Sequence, residues 1–314
     1  MSVRIPSSIL TRNNLVNISQ VQARLAVTQE RAASGLRINR PSDDPAGAAR
    51  ASVVRSEAAA HAQFAKNVDR ARARLAAAER ALVAASDVMV RARELALQGA
   101  NGTLDASTRA SIAEEVAVLF EELASAANAR HESGWIFAGT ANGAPAFSVA
   151  GSFSGGAPPT VTYDGDASEI EVSVGERPTV TVTLDGRRVF QGDADGDGVP
   201  EAGREDLFVV LGDLWQALTD DDQDAVRATL SRLERGQRQL EMERSRLGAF
   251  GARLEAAGAR LADAKVEDVR LLSATQDADT VQVLSDLVNQ ETALRATLEV
   301  AARTLRPSLL DFLG

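Results

Sequence analysis

Apolar residues recur every seven positions over long stretches of this chain, and that spacing limits what it can fold into. Val68, Leu75, Leu82, Met89 and Ala96 form one row, and Phe64, Ala71, Ala78, Ala85 and Ala92 form its alternate. A 3-4 alternation of this kind puts a single narrow apolar stripe on one long helix. At 1.5 Å per residue, residues 60–98 would give a rod roughly 57 Å long. Toward the other end, Val226, Leu233, Leu240, Leu247, Leu254 and Leu261 repeat the row at six successive positions. A stripe of Leu, Val and Ala cannot sustain a lone helix, so each needs a partner along its length.

Punctuation divides the helical stretches. Asn101-Gly102 ends the first rod helix, and Thr103 or Asp105 can cap the next, whose seam reads Ile112, Val116, Leu119, Leu123, Ala126. A turn this short makes the two helices antiparallel. Before the rod lies SGLRINRPSDDPAGAA (34–49). There Gly35 suits a helix end, Ser42 an N-cap, Asp43 and Asp44 the positive end of a helix dipole, and Pro45 a first turn.

Both ends of the chain read as amphipathic helices, about 7–33 and 281–312. The first carries Ile18, Val21, Leu25, Thr28 and Ala32. The second follows a charged interruption near Lys265–Asp268 and carries Leu284, Leu287, Glu291, Leu294, Leu298, Ala301 and Leu305, ending in Ser308 and Phe312. Small residues dominate both stripes, so their joint core is thin. The expectation is that these ends gain order by packing against other copies of the chain.

Residues 139–205 have a different period. Ile170–Val174 and Thr179–Leu184 alternate apolar and polar side chains with a turn at 175–178, and Asp185-Gly186 reads as a tighter turn before a strand at Arg187–Phe190. Twelve acidic and four basic residues fall between 140 and 206, which accounts for most of the net charge of −10. The expected fold is mainly α with an inserted small β domain, on a long antiparallel coiled-coil rod. Its expected parts are terminal assembly helices at 1–41 and 272–314, a rod at 42–138 and 206–271, and an antiparallel β domain at 139–205.

Composition and motif counts narrow the chemistry. There is no Cys and there are only two His, His61 and His131, so thiol catalysis, Cys-ligated zinc and paired-His sites are not expected. An acidic chain repels nucleic acid and anionic lipid, no stretch reaches the length of a membrane span, and the N-terminus lacks a signal-peptide apolar run. His131-Glu132 begins a zinc-protease motif that Trp135 fails to complete. Phe153 stands at the nucleophile position of Gly151–Gly155. Neither Lys follows a Gly, so there is no phosphate loop. No catalytic motif is complete. Trp135, Phe137 and Trp215 are expected to anchor the β insert. The one metal-like pattern is Asp193, Asp195 and Asp197 followed by Gly198, a spacing that can place oxygens around Ca²⁺. Counted from Asp193, position nine is Glu201, position twelve is Arg204 instead of the Glu of an EF-hand, and position thirteen is Glu205.

Several separated blocks carry a family resemblance. The 34–49 segment resembles the N-terminal signature of the bacterial flagellin superfamily. Pro41–Pro45, Trp135–Thr140, Ala144–Phe147, Tyr163–Asp166 and Val189-Phe190 resemble its hook–filament junction branch, as does the last helix from Leu294 to Phe312. Gly192–Gly203 departs from that pattern as an extra loop. The resemblance implies an exported structural subunit of the flagellum that self-assembles into a tube, terminal helices inside and β domain outside. It implies hook-associated protein 1 and flagellin as neighbours and an export chaperone before assembly, with no cofactor, nucleic acid or membrane. The assembly interface would include Ile18, Val21, Leu25, Leu284, Leu287, Leu294, Leu298, Leu305 and Phe312. The alternatives are a filament flagellin, or a calcium-responsive surface adhesin built on the acidic domain.

Overall fold

The computed structural model describes residues 7–304, apart from Ser133, Asn142 and Pro178. Helices dominate: α1 (Ser7–Ser34), α2 (Pro45–Gly99), α3 (Ala106–Ala127), α4 (Leu207–Thr219), α5 (Gln223–Gln276) and α6 (Thr280–Thr304). Between α3 and α4 lie three short antiparallel hairpins, β1–β2 (Arg130–His131, Gly134–Trp135), β3–β4 (Phe147–Ala150, Thr160–Tyr163) and β5–β6 (Glu171–Ser173, Thr179–Thr181). The chain forms two compact units, one from the segments up to Ala60 and from Asp263 onward, the other from His61–Ala262.

The second unit holds the core. Leu75, Leu82, Met89 and Ala96 of α2 and Leu233, Leu240, Leu247 and Leu254 of α5 are all buried in one cluster, as the heptads predict. Three cross-helix contacts fix the direction of the pair. Arg93 bonds Glu234 at 2.8 Å, Arg244 approaches Glu79 at 4.0 Å, and Arg72 donates to the Leu254 carbonyl at 3.4 Å. Numbers rise on one helix as they fall on the other, so α2 and α5 run antiparallel. Asp105 caps α3 by accepting the Thr108 N–H at 2.9 Å.

Aromatic side chains of the inserted segment join this same core. Phe137 and Phe147 pack on Phe190, Phe147 on Phe208, Phe120 on Phe208 and Phe153, and Phe153 on Trp215, with ring centroids 4.9–5.6 Å apart. Trp215 and Phe137 are buried and Trp135 half-buried. The Trp135–Thr140 and Tyr163–Asp166 blocks lock together. The Tyr163 hydroxyl donates to the Phe137 carbonyl at 2.9 Å, and Asp166 accepts the Thr140 N–H at 2.7 Å. Gly139 sits at φ +65° with Asp166 so close that a Cβ would collide with it.

Four local expectations need correction. The N-cap of α2 is Asp44, not Ser42: its Oδ1 accepts the Gly47 N–H at 2.9 Å, directly before Pro45. Asp43 instead accepts the N–H groups of Asn39 and Arg40. α5 does not break at Lys265–Asp268, because most of those charges face solvent on an unbroken helix. The break comes at Asp277–Asp279, where Asp279 caps α6 through the Val281 N–H. Arg187–Gln191 is a π-helical turn, not a strand. Val189 and Phe190 are both buried, and neighbours on a strand would point to opposite faces. Lastly, the periodic reading passed over α4 and the β3–β4 hairpin, although Leu207, Leu211, Leu214 and Leu218 follow a 3-4 progression and Thr160–Tyr163 alternates.

Candidate assembly surface

The first unit is built around two breaks in the chain. Gly35, at φ +71°, ends α1, and Leu36 pairs with Asp277 in a lone antiparallel bridge. The Arg37 N–H donates to the Gln276 carbonyl at 2.7 Å, and the Ala278 N–H to the Gly35 carbonyl at 2.9 Å. Arg37 also reaches the Thr275 carbonyl at 2.7 Å and Asp44 at 3.1 Å. Arg55 bonds the Gln276 side chain at 2.8 Å. Thus the α1–α2 break is stitched to the α5–α6 break. Ile38 plugs the stitch, buried at 6% exposure, and a Cβ on Gly47 would lie 2.6 Å from it and 2.4 Å from Asp44. Both aspartates are held below the ordinary carboxylate range. Asp43 owes this first to the Arg40 N–H, and Asp44 to the Gly47 N–H and then to Arg37.

Beyond the stitch, α1 packs against α6. Ile18, Val21 and Leu25 are half-buried and Thr28 is buried, so these four face inward, whereas Ala32 at the end of the stripe is exposed. The α6 stripe divides. Val283, Leu287, Gln290, Leu294, Thr297 and Ala301 are covered, whereas Leu284 is 58% and Leu298 45% exposed. The candidate residues therefore fall into two sets. Ile18, Val21, Leu25, Leu287 and Leu294 lie on covered rows, and Leu284 and Leu298 face outward. Leu305 and Phe312 lie outside the described residues.

The exposed row is longer than the heptad reading found. Val281, Leu284, Val288 and Leu298 fall on a second 3-4 progression on α6, one position off the covered row and interrupted by Glu291 and Arg295, and Val300 lies beside it, all exposed. Val266, Val269 and Leu271 of α5 and Leu15, Val16 and Val27 of α1 add to the exposed apolar surface of this unit. Reading α6 for two offset stripes would have found its row. Twelve of the nineteen large exposed hydrophobics among the described residues belong to this unit, whereas of the buried apolar residues only Ile38, Ala51 and Ala301 do. A unit with almost no core and a repeated exposed apolar row is an unfinished packing surface.

The second unit carries the acidic loop. Asp193, Asp195 and Asp197 come together, with one ligand oxygen from each within 4.8 Å of the others. Asp193 is buried and accepts the N–H groups of Gly196 at 2.6 Å and Gly198 at 3.0 Å. Those two glycines reverse the backbone at φ +85° and +84°. Glu201 accepts the Ala194 N–H through Oε1, and its buried Oε2 has no hydrogen-bond partner among the described residues. Position twelve turns away: Arg204 bonds the buried Glu243 at 2.9 Å, alongside Arg188 at 3.0 Å. Glu205 is taken by Arg232 and Arg235.

Residues 5–141 match the family description "Bacterial flagellin N-terminal helical region". The chain is also similar to flagellar hook-associated protein 3 over nearly its whole length. It is 26% identical to that protein of Salmonella typhimurium over 310 residues, 94% of this chain and 95% of the relative. Similarity to phase 1 flagellin of Salmonella naestved is higher, at 36%, but stops after 116 residues, 37% of this chain and 22% of the flagellin. The fold matches a crystal structure of flagellar hook-associated protein 3 from Legionella pneumophila, with a TM-score of 0.60 and 16% identity over 71% of this chain and 98% of that one.

Proposed function

We propose that this chain is a structural junction subunit of the bacterial flagellum, assembled with other copies of itself through its first unit. The observation that carries assembly is the exposed apolar row of α6 on a unit with almost no core of its own. The extent of similarity favours the junction role over the filament role, because the hook-associated relative aligns from end to end and the flagellin over about a fifth of its length. On this reading the subunit sits in the extracellular part of the flagellum, between hook-associated protein 1 and flagellin. It is exported without a cleaved signal peptide and is held by a chaperone beforehand. Deleting its gene should leave cells non-motile, with flagellin monomer shed into the medium and no filaments attached. Filaments still attached to the deletion strain would refute the junction role.

The convergence of Asp193, Asp195 and Asp197, with a buried unpartnered oxygen on Glu201, favours a second reading for the acidic loop. We propose that this loop takes Ca²⁺ as a structural ion. Calorimetric titration with calcium chloride should give saturable heat that Asp195→Ala abolishes, and an absence of heat from the unaltered protein would retire the idea.

A further inference from the structure

A cavity of about 420 Å³ opens in the second unit between α2, the β1–β2 turn and the β5–β6 hairpin. That is within the range of small-molecule sites. Ile170, Val172, Val182 and Ala71 give it an apolar side, and Asn67, Arg70, Arg74 and His131 a polar one. Arg74 lies on the polar side. Its Nη2 donates to the carbonyls of Trp135 at 3.2 Å and Ile136 at 3.0 Å, but its Nε is buried without a hydrogen-bond partner. Among the described residues no carboxylate lies within ion-pair distance of Arg74 or Arg70. Burial accordingly pulls the Arg74 guanidinium below its ordinary value. The Nε2 of His131 is likewise buried and without a partner among the described residues. Buried polar groups are nearly always satisfied, and beside this cavity the Arg74 Nε, a donor in every state, and the His131 Nε2 are not. The adjoining turn is strained, with Glu132 at φ +52°, as turns that clamp ligands often are.

We propose that this cavity binds a small organic monocarboxylate, its anionic head on Arg74, Arg70 and His131 and its apolar body against Ile170, Val172 and Val182. The rim sets the charge limit. Glu132 and Glu171 also line the cavity, so a single negative charge is accepted and a phosphate dianion is repelled. The site is lined by the second unit alone and stands whether or not the junction reading does.

The two histidines make the test direct. In protein labelled with ¹³C at histidine Cε1, two imidazole signals are assigned with His61→Gln. Sodium benzoate is then titrated against sodium chloride of equal ionic strength, with inorganic phosphate as the second probe. The expected result is a saturable shift of the His131 signal alone. Binding should be at least about tenfold weaker in Arg70→Gln and in Arg74→Lys, which keeps the charge but loses the fork. An unmoved His61 signal and an unchanged circular dichroism spectrum certify the fold of each variant, and Arg70→Gln decides if Arg74→Lys is misfolded. A His131 signal that does not move, an equal response in wild type and Arg70→Gln, or tighter binding of phosphate than benzoate would each overturn the proposal.

Discussion

Replacing Leu284 and Leu298 together by Ala separates the outer row of α6 from its inner one. Both side chains are about half exposed, and surface substitutions of that kind change monomer stability by roughly 0.5 kcal/mol or less each. A fully buried Leu→Ala change costs about 2–5 kcal/mol. Leu284 has 58% of its surface left to bury, so its share on assembly is about 1–3 kcal/mol. That corresponds to a loss in association of very roughly tenfold to a hundredfold per contact. Leu294→Ala is the opposite case, because that residue is already covered on the α1–α6 seam, and its loss should appear in the monomer. The assay is thermal unfolding of dilute protein alongside sedimentation across a concentration series, with preformed junction layers as seeds. The double variant should melt like the wild type and assemble poorly, and Leu294→Ala should melt earlier. If the double variant assembled as well as the wild type, the outer row would not be an interface and the reasoning would fail.

Gly47→Ala should destabilise the stitched loop by about 1–3 kcal/mol, because its Cβ has no room beside Asp44 and Ile38; amide exchange at Arg37 and Ala278 reads this directly. Glu243→Gln should cost about 3 kcal/mol in chemical denaturation by leaving Arg188 and Arg204 without their shared anion. For pH, Asp43 and Asp44 have folded values below their unfolded ones, so their contribution is fully present above the unfolded value of about 3.9 and is lost as pH falls through the lower folded values. Exchange protection of the stitch should therefore hold steady from pH 7 to about 5 and decline below about 4; a decline already complete at pH 5 would contradict these assignments.

Much of the helical architecture was legible because several helices announce their own ends. Gly35, Pro45 and Asp105 act through backbone angles and free N–H groups, which are local effects a sequence displays. The α2 and α5 seams were legible because seven-residue spacing leaves one solution. What was hidden depended on tertiary contacts. Nothing local marks Arg187–Gln191 as a π-helical turn; it follows from burying Val189 and Phe190 together. α4 was missed because its row of Leu207, Leu211, Leu214 and Leu218 is short and set in a segment apolar at most other positions, so it does not stand out as the long rods do. On α6 the search for one stripe merged two, taking Leu287, Leu294 and Ala301 from the covered row and Leu284, Glu291 and Leu298 from the exposed one. Only the position of α1 shows that Leu284 and Leu298 are left over. The cavity beside Arg74 was beyond reach, because its lining comes from three segments far apart in sequence and its evidence is two nitrogens without partners.

The backbone rungs joining Leu36 to Asp277 also have a mechanical meaning. Tension entering the chain through α1 does not travel along α2 alone, because at Arg37 and Ala278 part of it crosses to the α5–α6 corner. The rungs and the Arg37 fork must fail together before either corner can open, so a torque on one helical arm is shared by both.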